Sequence, residues 1–228
     1  MIIKKPIKLP RINLVDFVSC FRADLIDDTK YLMNIRGISG SGKSTFPQML
    51  INQEPNPILL VTENNLNKES VWATYLPSFN IAVCGKYFSK PAGLDTLKTN
   101  EKTMFPLRLL WESGVNIIAE GVISSSILWP YFNFFRQLKE KNKKRHLVIF
   151  FLTPPLNVCI DRIKSRNKNE EFNIKRLEAR YRSVISAQTA FNNDNNFTVI
   201  TADNSTIQKE ETIGWYKKLL KNEGIDLY

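Results

Sequence analysis

The segment from Gly37 to Thr45 carries the most specific chemical pattern in the sequence. It reads Gly-Ile-Ser-Gly-Ser-Gly-Lys-Ser-Thr and fits the phosphate-binding pattern G-x-x-x-x-G-K-[ST]. Glycines let the backbone curl so that its N–H groups point at anionic oxygens, and a helix expected to start near Lys43 adds its positive end. The pattern therefore predicts a nucleoside triphosphate site, in which Lys43 reaches the β- and γ-phosphates and Ser44 holds Mg²⁺. A glycine-rich turn without a ligand is the alternative. The predicted nucleotide-binding residues are Gly37, Ser39, Gly40, Ser41, Gly42, Lys43, Ser44 and Thr45.

A carboxylate follows the apolar run that ends at Ala119. Glu120 would lie at the carboxyl end of a central strand, over the crevice where doubly wound folds bind their ligands. It can organise Mg²⁺ there, so Glu120 and Ser44 are the predicted metal residues, or it can take a proton. Capping of the following helix is the alternative role of Glu120.

Two arginines, Arg162 and Arg166, lie four residues apart and would share one face of a helix. Cationic side chains that neutralise charge on a transferring phosphate are a large part of phosphoryl-transfer catalysis. A polar link and a basic helix follow, so residues 162–182 are predicted to form a closing lid. A pair of solvated basic helices is the alternative.

The segment from Gly85 to Asp95 mixes glycines, aromatic residues and lysines with one acid, which indicates an acceptor-binding loop. Asp95 could accept the proton of an attacking hydroxyl, and Tyr87 or Phe88 could stack on a base. Lys86, Tyr87 and Asp95 are the predicted acceptor residues, while capping of a helix near Thr96 is the alternative for Asp95. Residues 201–206 form a predicted loop that could hold a purine, although turn chemistry alone also explains them.

The apolar runs that must position these residues alternate with helical patterns, which predicts an α/β fold with a doubly wound parallel sheet. An extended lead-in with a short helix over 14–21 is expected to pack on this sheet. The predicted strands are 31–36, 58–62, 81–84, 116–119, 147–152 and 198–201. The predicted helices are 45–52, 101–112, 125–141, 155–165, 174–191 and 206–221.

Length and charge narrow the class of protein further. The 228 residues suit a single domain over 1–228, and the formal charge of +10 favours a polyanionic partner such as nucleic acid. Three cysteines without a CxxC pair and the absence of a long apolar run predict a cytoplasmic protein with no membrane span. The basic run Lys139 to Arg145 is interpreted as a charged helix end, with a nucleic-acid contact as the alternative.

The order of these segments resembles a group of small P-loop kinases, often encoded by bacteriophages, that includes 5-hydroxymethyluracil DNA kinases. The resemblance covers about 31–205 and rests on the phosphate loop, on Ile-Ile-Ala-Glu-Gly-Val-Ile-Ser-Ser and on Cys-Ile-Asp-Arg-Ile-Lys-Ser-Arg. It implies the P-loop kinase fold with a helical lid, ATP and Mg²⁺ as cofactors, and a hydroxyl acceptor. By this likeness Lys43, Asp95 and Glu120 would be catalytic, and Arg162 and Arg166 would be the lid arginines.

The sequence therefore predicts an ATP-dependent phosphotransferase, most simply one acting on the hydroxymethyl group of a modified pyrimidine in DNA. If the protein is encoded by a phage, it would work in the cytoplasm of the host cell. A kinase for a free nucleoside or nucleoside monophosphate is the alternative within enzymes. A nucleotide-gated binding module with little turnover is the alternative outside them.

Overall fold

A computed structural model describes residues 9–20, 30–63, 69–88, 92–167 and 172–227. It is a mixed α/β structure with one eight-stranded sheet. The strands are β1 (Arg11–Asn13), β2 (Tyr31–Arg36), β3 (Ile58–Glu63), β4 (Glu69–Leu76), β5 (Ile81–Cys84), β6 (Asn116–Glu120), β7 (His146–Leu152) and β8 (Thr198–Ala202). The helices are α1 (Leu14–Cys20), α2 (Thr45–Gln53), α3 (Asn100–Trp111), α4 (Val122–Ser126), α5 (Trp129–Lys141), α6 (Leu156–Arg166), α7 (Ile174–Asn192) and α8 (Thr212–Asn222).

The strand order in the sheet is β1-β3-β4-β5-β6-β2-β7-β8. Strand β2 lies between β6 and β7 and is parallel to both, so the loop that follows β2 begins at the centre of the sheet. Glu120 ends the neighbouring strand β6 at the same edge. Because the carboxyl ends of parallel strands meet at one edge, this topology brings Gly37 and Glu120 together.

The central strands are buried because helices cover both faces of the sheet. All six residues of β2 and all five of β6 are buried, as expected for parallel strands between two helical layers. Alternate residues of β2 enter different cores: Leu32 packs on the side that includes Phe135 and Phe191, and Met33 packs on the side of Phe46. The sheet is therefore doubly wound, as predicted, whereas the assignment to the P-loop kinase type stays a prediction.

The predicted all-parallel sheet is wrong at one strand. Strand β4 runs antiparallel to both β3 and β5, so the sheet is mixed. The pattern missed β4 and also β1, whose three residues are exposed and include a single apolar residue, Ile12. The helix predicted over 125–141 is two helices, α4 and α5, and Pro130 lies in the first turn of the second. Proline suits that position because its missing N–H has no partner there in any case.

Arg145 corrects the interpretation of the basic run that precedes β7. Its side chain is fully buried, and its guanidinium donates hydrogen bonds to the carbonyls of Trp111, Ser113 and Val115. The carbonyls of Leu110 and Tyr31 accept weaker bonds from the same group. Hydrogen bonds from Arg145 therefore link the end of α3 to the start of β6. Because the side chain is buried, this residue cannot contact a nucleic acid.

Candidate functional site

The loop between β2 and α2 forms one wall of a cavity of about 710 Å³ at the carboxyl edge of the sheet. Gly40 and Gly42 have φ angles of +84° and +89°, which only glycine adopts without strain. A Cβ at Gly42 would lie 2.8 Å from Asn204 Nδ2, and one at Gly40 would clash with the carbonyl of Cys159. Close packing against α6 and against the loop after β8 thus requires both glycines.

Lys43 lies under this loop and is only 6% exposed. Its Nζ donates to the carbonyl oxygen of Ile38 at 3.3 Å, inside the turn of the loop. Burial lowers the pKa of Lys43, while the carboxylates of Glu120 and Asp95 oppose that change. The ammonium group is therefore poorly solvated and has two carboxylates as its electrostatic partners.

Ser44 and Glu120 lie side by side, as the metal prediction requires. The Ser44 hydroxyl donates to Glu120 Oε1 at 2.9 Å, and Glu120 is 1% exposed. Burial raises the pKa of Glu120, and the hydrogen bond from Ser44 and the charge of Lys43 oppose the rise. A hydroxyl and a carboxylate are oxygen donors of the kind that Mg²⁺ uses, together with waters and substrate phosphates. The two residues therefore fit the predicted metal position.

Asp95 reaches the same cavity from the loop that follows β5. It lies in a short 3₁₀ turn, Leu94–Leu97, and its Oδ2 accepts a hydrogen bond of 2.8 Å from the backbone N–H of Val122. The alternative prediction was that Asp95 caps the next helix. Thr99 caps α3 instead, because its side chain accepts a hydrogen bond from the N–H of Lys102. Asp95 instead holds the first residue of α4.

The predicted acceptor loop is closed by contacts around Gly93. Lys86 and Gly93 pair through their backbones, and Thr96 Oγ1 bonds the carbonyl of Gly93 at 2.7 Å. Gly93 has φ +68°, and a Cβ there would clash with the carboxylate and the carbonyl of Glu120. Residues 89–91 of this predicted loop lie outside the described residues.

Tyr87 does not have the role predicted for it. The side chain is 3% exposed and packs in the core with Phe46, so no base can stack on its ring. Burial and the nearby Glu120 carboxylate raise the pKa of the Tyr87 hydroxyl well above its ordinary value. Tyr87 therefore lies beside Glu120 inside the protein, where it is inaccessible to a base. Lys86 is half-buried, and its role as an acceptor residue stays a prediction.

Arg162 and Arg166 both line the cavity. Arg162 donates to the side-chain and backbone oxygens of Asn204, at 3.3 and 2.9 Å, and to the carbonyl of Gly40 at 3.4 Å. Arg166 is exposed, and its Nε donates to Asn167 Oδ1 at 3.4 Å. The predicted lid over 162–182 includes residues 168–171, which lie outside the described residues, so closure stays a prediction.

A second cavity, of about 380 Å³, shares Gly42, Thr45, Gln48 and Arg162 with the first. Asn204, from the predicted purine loop, and Trp215 of α8 also line it. Asn204 also donates to the carbonyl of Ser41 at 2.9 Å and so connects this loop to the glycine-rich one.

The sequence did not indicate Arg36 and Ser125, which hold the start of the Gly37–Thr45 loop through hydrogen bonds inside the protein. Ser125 Oγ accepts the N–H of Gly37 at 3.1 Å and donates to the carbonyl of Gly121. Arg36 is fully buried over the ring of Phe191 and donates to the carbonyls of Ser125 and Ile127. A charged residue at the end of a mainly apolar strand is the signal that could have identified Arg36.

Comparison with known proteins agrees with the resemblance in the sequence. A family model described as 5-hmdU DNA kinase matches residues 26–211. A "5-hmdU DNA kinase" of Bacillus phage SP10 is 38% identical over 205 residues, which are 89% of this chain and 30% of that protein. "5-hmdU DNA kinase 1" of Salmonella phage ViI is 34% identical over 146 residues, and the match covers 62% of each chain. A "5-hmdU DNA kinase" of Pseudomonas phage M6 is 28% identical over 163 residues, which are 68% of this chain and 81% of that protein.

This chain therefore spans less than two thirds of the length of the first two of these relatives. Within the described residues, no helix is long and apolar enough to cross a membrane. The family match covers most of the chain and confirms the predicted relationship: the chain belongs to the 5-hmdU DNA kinase family.

Proposed function

We propose that this chain is an ATP- and Mg²⁺-dependent P-loop kinase that phosphorylates the hydroxymethyl group of 5-hydroxymethyluracil in DNA. One observation carries the proposal: a single cavity collects Lys43, Ser44, Glu120, Asp95 and three arginines in a member of the 5-hmdU DNA kinase family. The phage relatives suggest that it acts in the cytoplasm of a bacterial host.

The triphosphate of ATP would bind against the Gly37–Thr45 loop. Backbone N–H groups of the loop and the first turn of α2 supply positive potential there, and Lys43 adds a full charge. Because Lys43 is buried, a phosphate oxygen would replace the weak bond to Ile38 with a much stronger charged one. The purine would occupy the adjoining cavity at Asn204 and Trp215.

The metal would bind at Ser44 and Glu120. The chemistry that Mg²⁺ would supply at these two residues is neutralisation of the negative charge on the phosphate oxygens. The carboxylate of Glu120 is held ready for this position by the Ser44 hydroxyl. The close approach of Gly93 on its other side limits its movement.

The acceptor hydroxyl would be deprotonated by Asp95. The hydrogen bond from Val122 fixes the orientation of this carboxylate at the edge of the cavity. A base in a duplex cannot reach such a site, so the target nucleotide would have to be unstacked and turned into the cavity. Arg162 and Arg166 would stabilise the transferring phosphoryl group, which carries its charge on three equatorial oxygens.

The proposal is tested by incubating the protein with γ-labelled ATP and three acceptors: unmodified DNA, DNA of the same sequence containing 5-hydroxymethyluracil, and free 5-hydroxymethyl-2′-deoxyuridine. Label in the modified DNA alone is the expected result. Label mainly in the free nucleoside would replace the proposal with a small-molecule kinase. Tight ATP binding without release of ADP in the presence of any acceptor would indicate a nucleotide-gated binding module.

A further inference from the structure

Arg180 in α7 lines the main cavity but has no part in the chemistry assigned so far. It is half-buried, and within the described part of the chain it makes no hydrogen bond or ion pair. A half-buried guanidinium group has lost part of its hydration, and no anion among the described residues replaces the lost hydrogen bonds. The missing partner is therefore expected to be an anionic ligand.

Arg180 belongs to the acceptor side of the cavity. Its electrostatic neighbours are Arg176, one helical turn earlier, and Asp95, the proposed base. On the nucleotide side, by contrast, the arginine that acts on Lys43 is Arg166. Asp95 acts on both Lys43 and Arg180, so it lies between the triphosphate side of the cavity and the side on which Arg180 stands.

Arg176 and Arg180 lie on one face of α7 because they are four residues apart, which places their Cβ atoms about 5–6 Å from each other. Two like charges at this spacing repel each other, and burial and Arg176 both lower the pKa of Arg180. An anion bound between the two guanidinium groups would remove that repulsion. Arg176 is exposed, so such an anion can reach the pair from solvent.

A nucleotide turned out of a DNA strand brings this kind of anion with it. Its base would point at Asp95, while its flanking phosphodiesters stay with the strand at the mouth of the cavity. We propose that Arg176 and Arg180 bind a backbone phosphodiester of the acceptor strand next to the nucleotide that is phosphorylated. This inference rests on the proposed function, since it requires a polynucleotide acceptor.

The test compares Arg176→Gln and Arg180→Gln with Arg182→Gln. Arg182 lies on the same helix and is exposed, but it is about 200° around the helix axis from Arg180. Binding of DNA containing 5-hydroxymethyluracil is measured against salt concentration, together with the KM values for DNA and for ATP. Loss of one phosphate contact should reduce the slope of log K against log salt by about 0.9 for a duplex.

The expected result is that Arg180→Gln raises the KM for DNA about tenfold, the size of one charged hydrogen bond, and leaves the KM for ATP and the turnover at saturating DNA unchanged. Arg182→Gln should change neither quantity. Arg180→Lys should restore the salt slope, because it keeps the charge, and it also controls for damage to the helix.

If the wild-type protein labels modified DNA, two results would overturn this inference without affecting the proposed function. In the first, Arg180→Gln has the same salt slope as Arg182→Gln. In the second, Arg180→Gln lowers turnover at saturating DNA, as expected for a ligand of the transferring phosphate. A wild-type protein that labels no DNA overturns the proposed function itself, whatever the arginine variants do, and this inference with it.

Discussion

Replacement of Arg145 by methionine tests how the edge of the sheet opposite the site is held together. Arg145 is fully buried, and its guanidinium carbon lies 4.6 Å from the centre of the Trp111 ring. Its strongest bonds go to three carbonyls in the passage from α3 to β6, beyond the regular hydrogen bonding of either element. Carbonyls at a helix end need a partner from outside the helix. Methionine fills similar space but donates no hydrogen bond.

The size of the loss follows from these three contacts. A buried polar group left without its partner costs about 1–3 kcal/mol, and water entering the vacated space would recover part of that cost. We therefore expect Arg145→Met to lower the free energy of unfolding by roughly 4 kcal/mol in total. For a chain of this length each kcal/mol shifts Tm by about 2–4 °C, so Tm should fall by roughly 8–16 °C.

Thermal unfolding followed by circular dichroism measures this shift. Lys144→Met is the matched control, because Lys144 is exposed and loses the same charge. Arg145→Lys should fall between the two, since an ammonium keeps the charge but cannot reproduce the planar fork of donors. Equal Tm values for Arg145→Met and the Lys144 control would refute the argument, because the carbonyls would then be satisfied without the guanidinium.

Four further predictions concern the site. Lys43→Met should lower kcat by about 10²–10³ in the γ-labelling assay, and a variant that keeps a tenth of the wild-type rate would contradict the role of Lys43. Gly93→Ala should reduce phosphorylation strongly, because the new methyl group collides with Glu120, whereas Gly214→Ala, with open space around it, should not. The acid limb of kcat/KM should lie above pH 4.5, because burial raises the pKa of Glu120 and the protonated acid cannot hold Mg²⁺. A kcat/KM that stays constant down to pH 4.5 would contradict this prediction. Asp95→Asn should keep ATP binding, measured by calorimetry, and abolish transfer to DNA; normal transfer with a lower Tm would leave Asp95 only its bond to Val122.

The central strands could be predicted because each is a short apolar run that stays buried on both faces. Strand β2, for example, is observed with the predicted bounds, Tyr31–Arg36. Strand β1 could not be predicted, because its exposed residues are in the sheet only through pairing with β3. The bounds of α4 also could not be predicted, since Gly121 is followed by two apolar residues and then three serines, which give no helical periodicity.

The candidate site was predictable where its residues are consecutive in the sequence. The glycine-rich loop is one local motif, so its residues could be named before the fold was known. Tyr87 could not be interpreted in this way, because its burial beside Glu120 depends on how the loop after β5 packs. The sequence likewise identified Arg180 only as part of a basic helix, because its position at the cavity depends on how α7 packs.

Helix α4 connects the two halves of the proposed reaction. At its first residue, the N–H of Val122 holds the carboxylate of Asp95. Near its end, Ser125 binds the N–H of Gly37 through its hydroxyl and Arg36 through its carbonyl. Both contacts lie within five residues, so the acceptor carboxylate and the start of the glycine-rich loop share one rigid support. A mutation that displaces α4 should therefore disturb nucleotide binding and acceptor activation together, whereas loss of Asp95 or of Lys43 alone should affect only one of them.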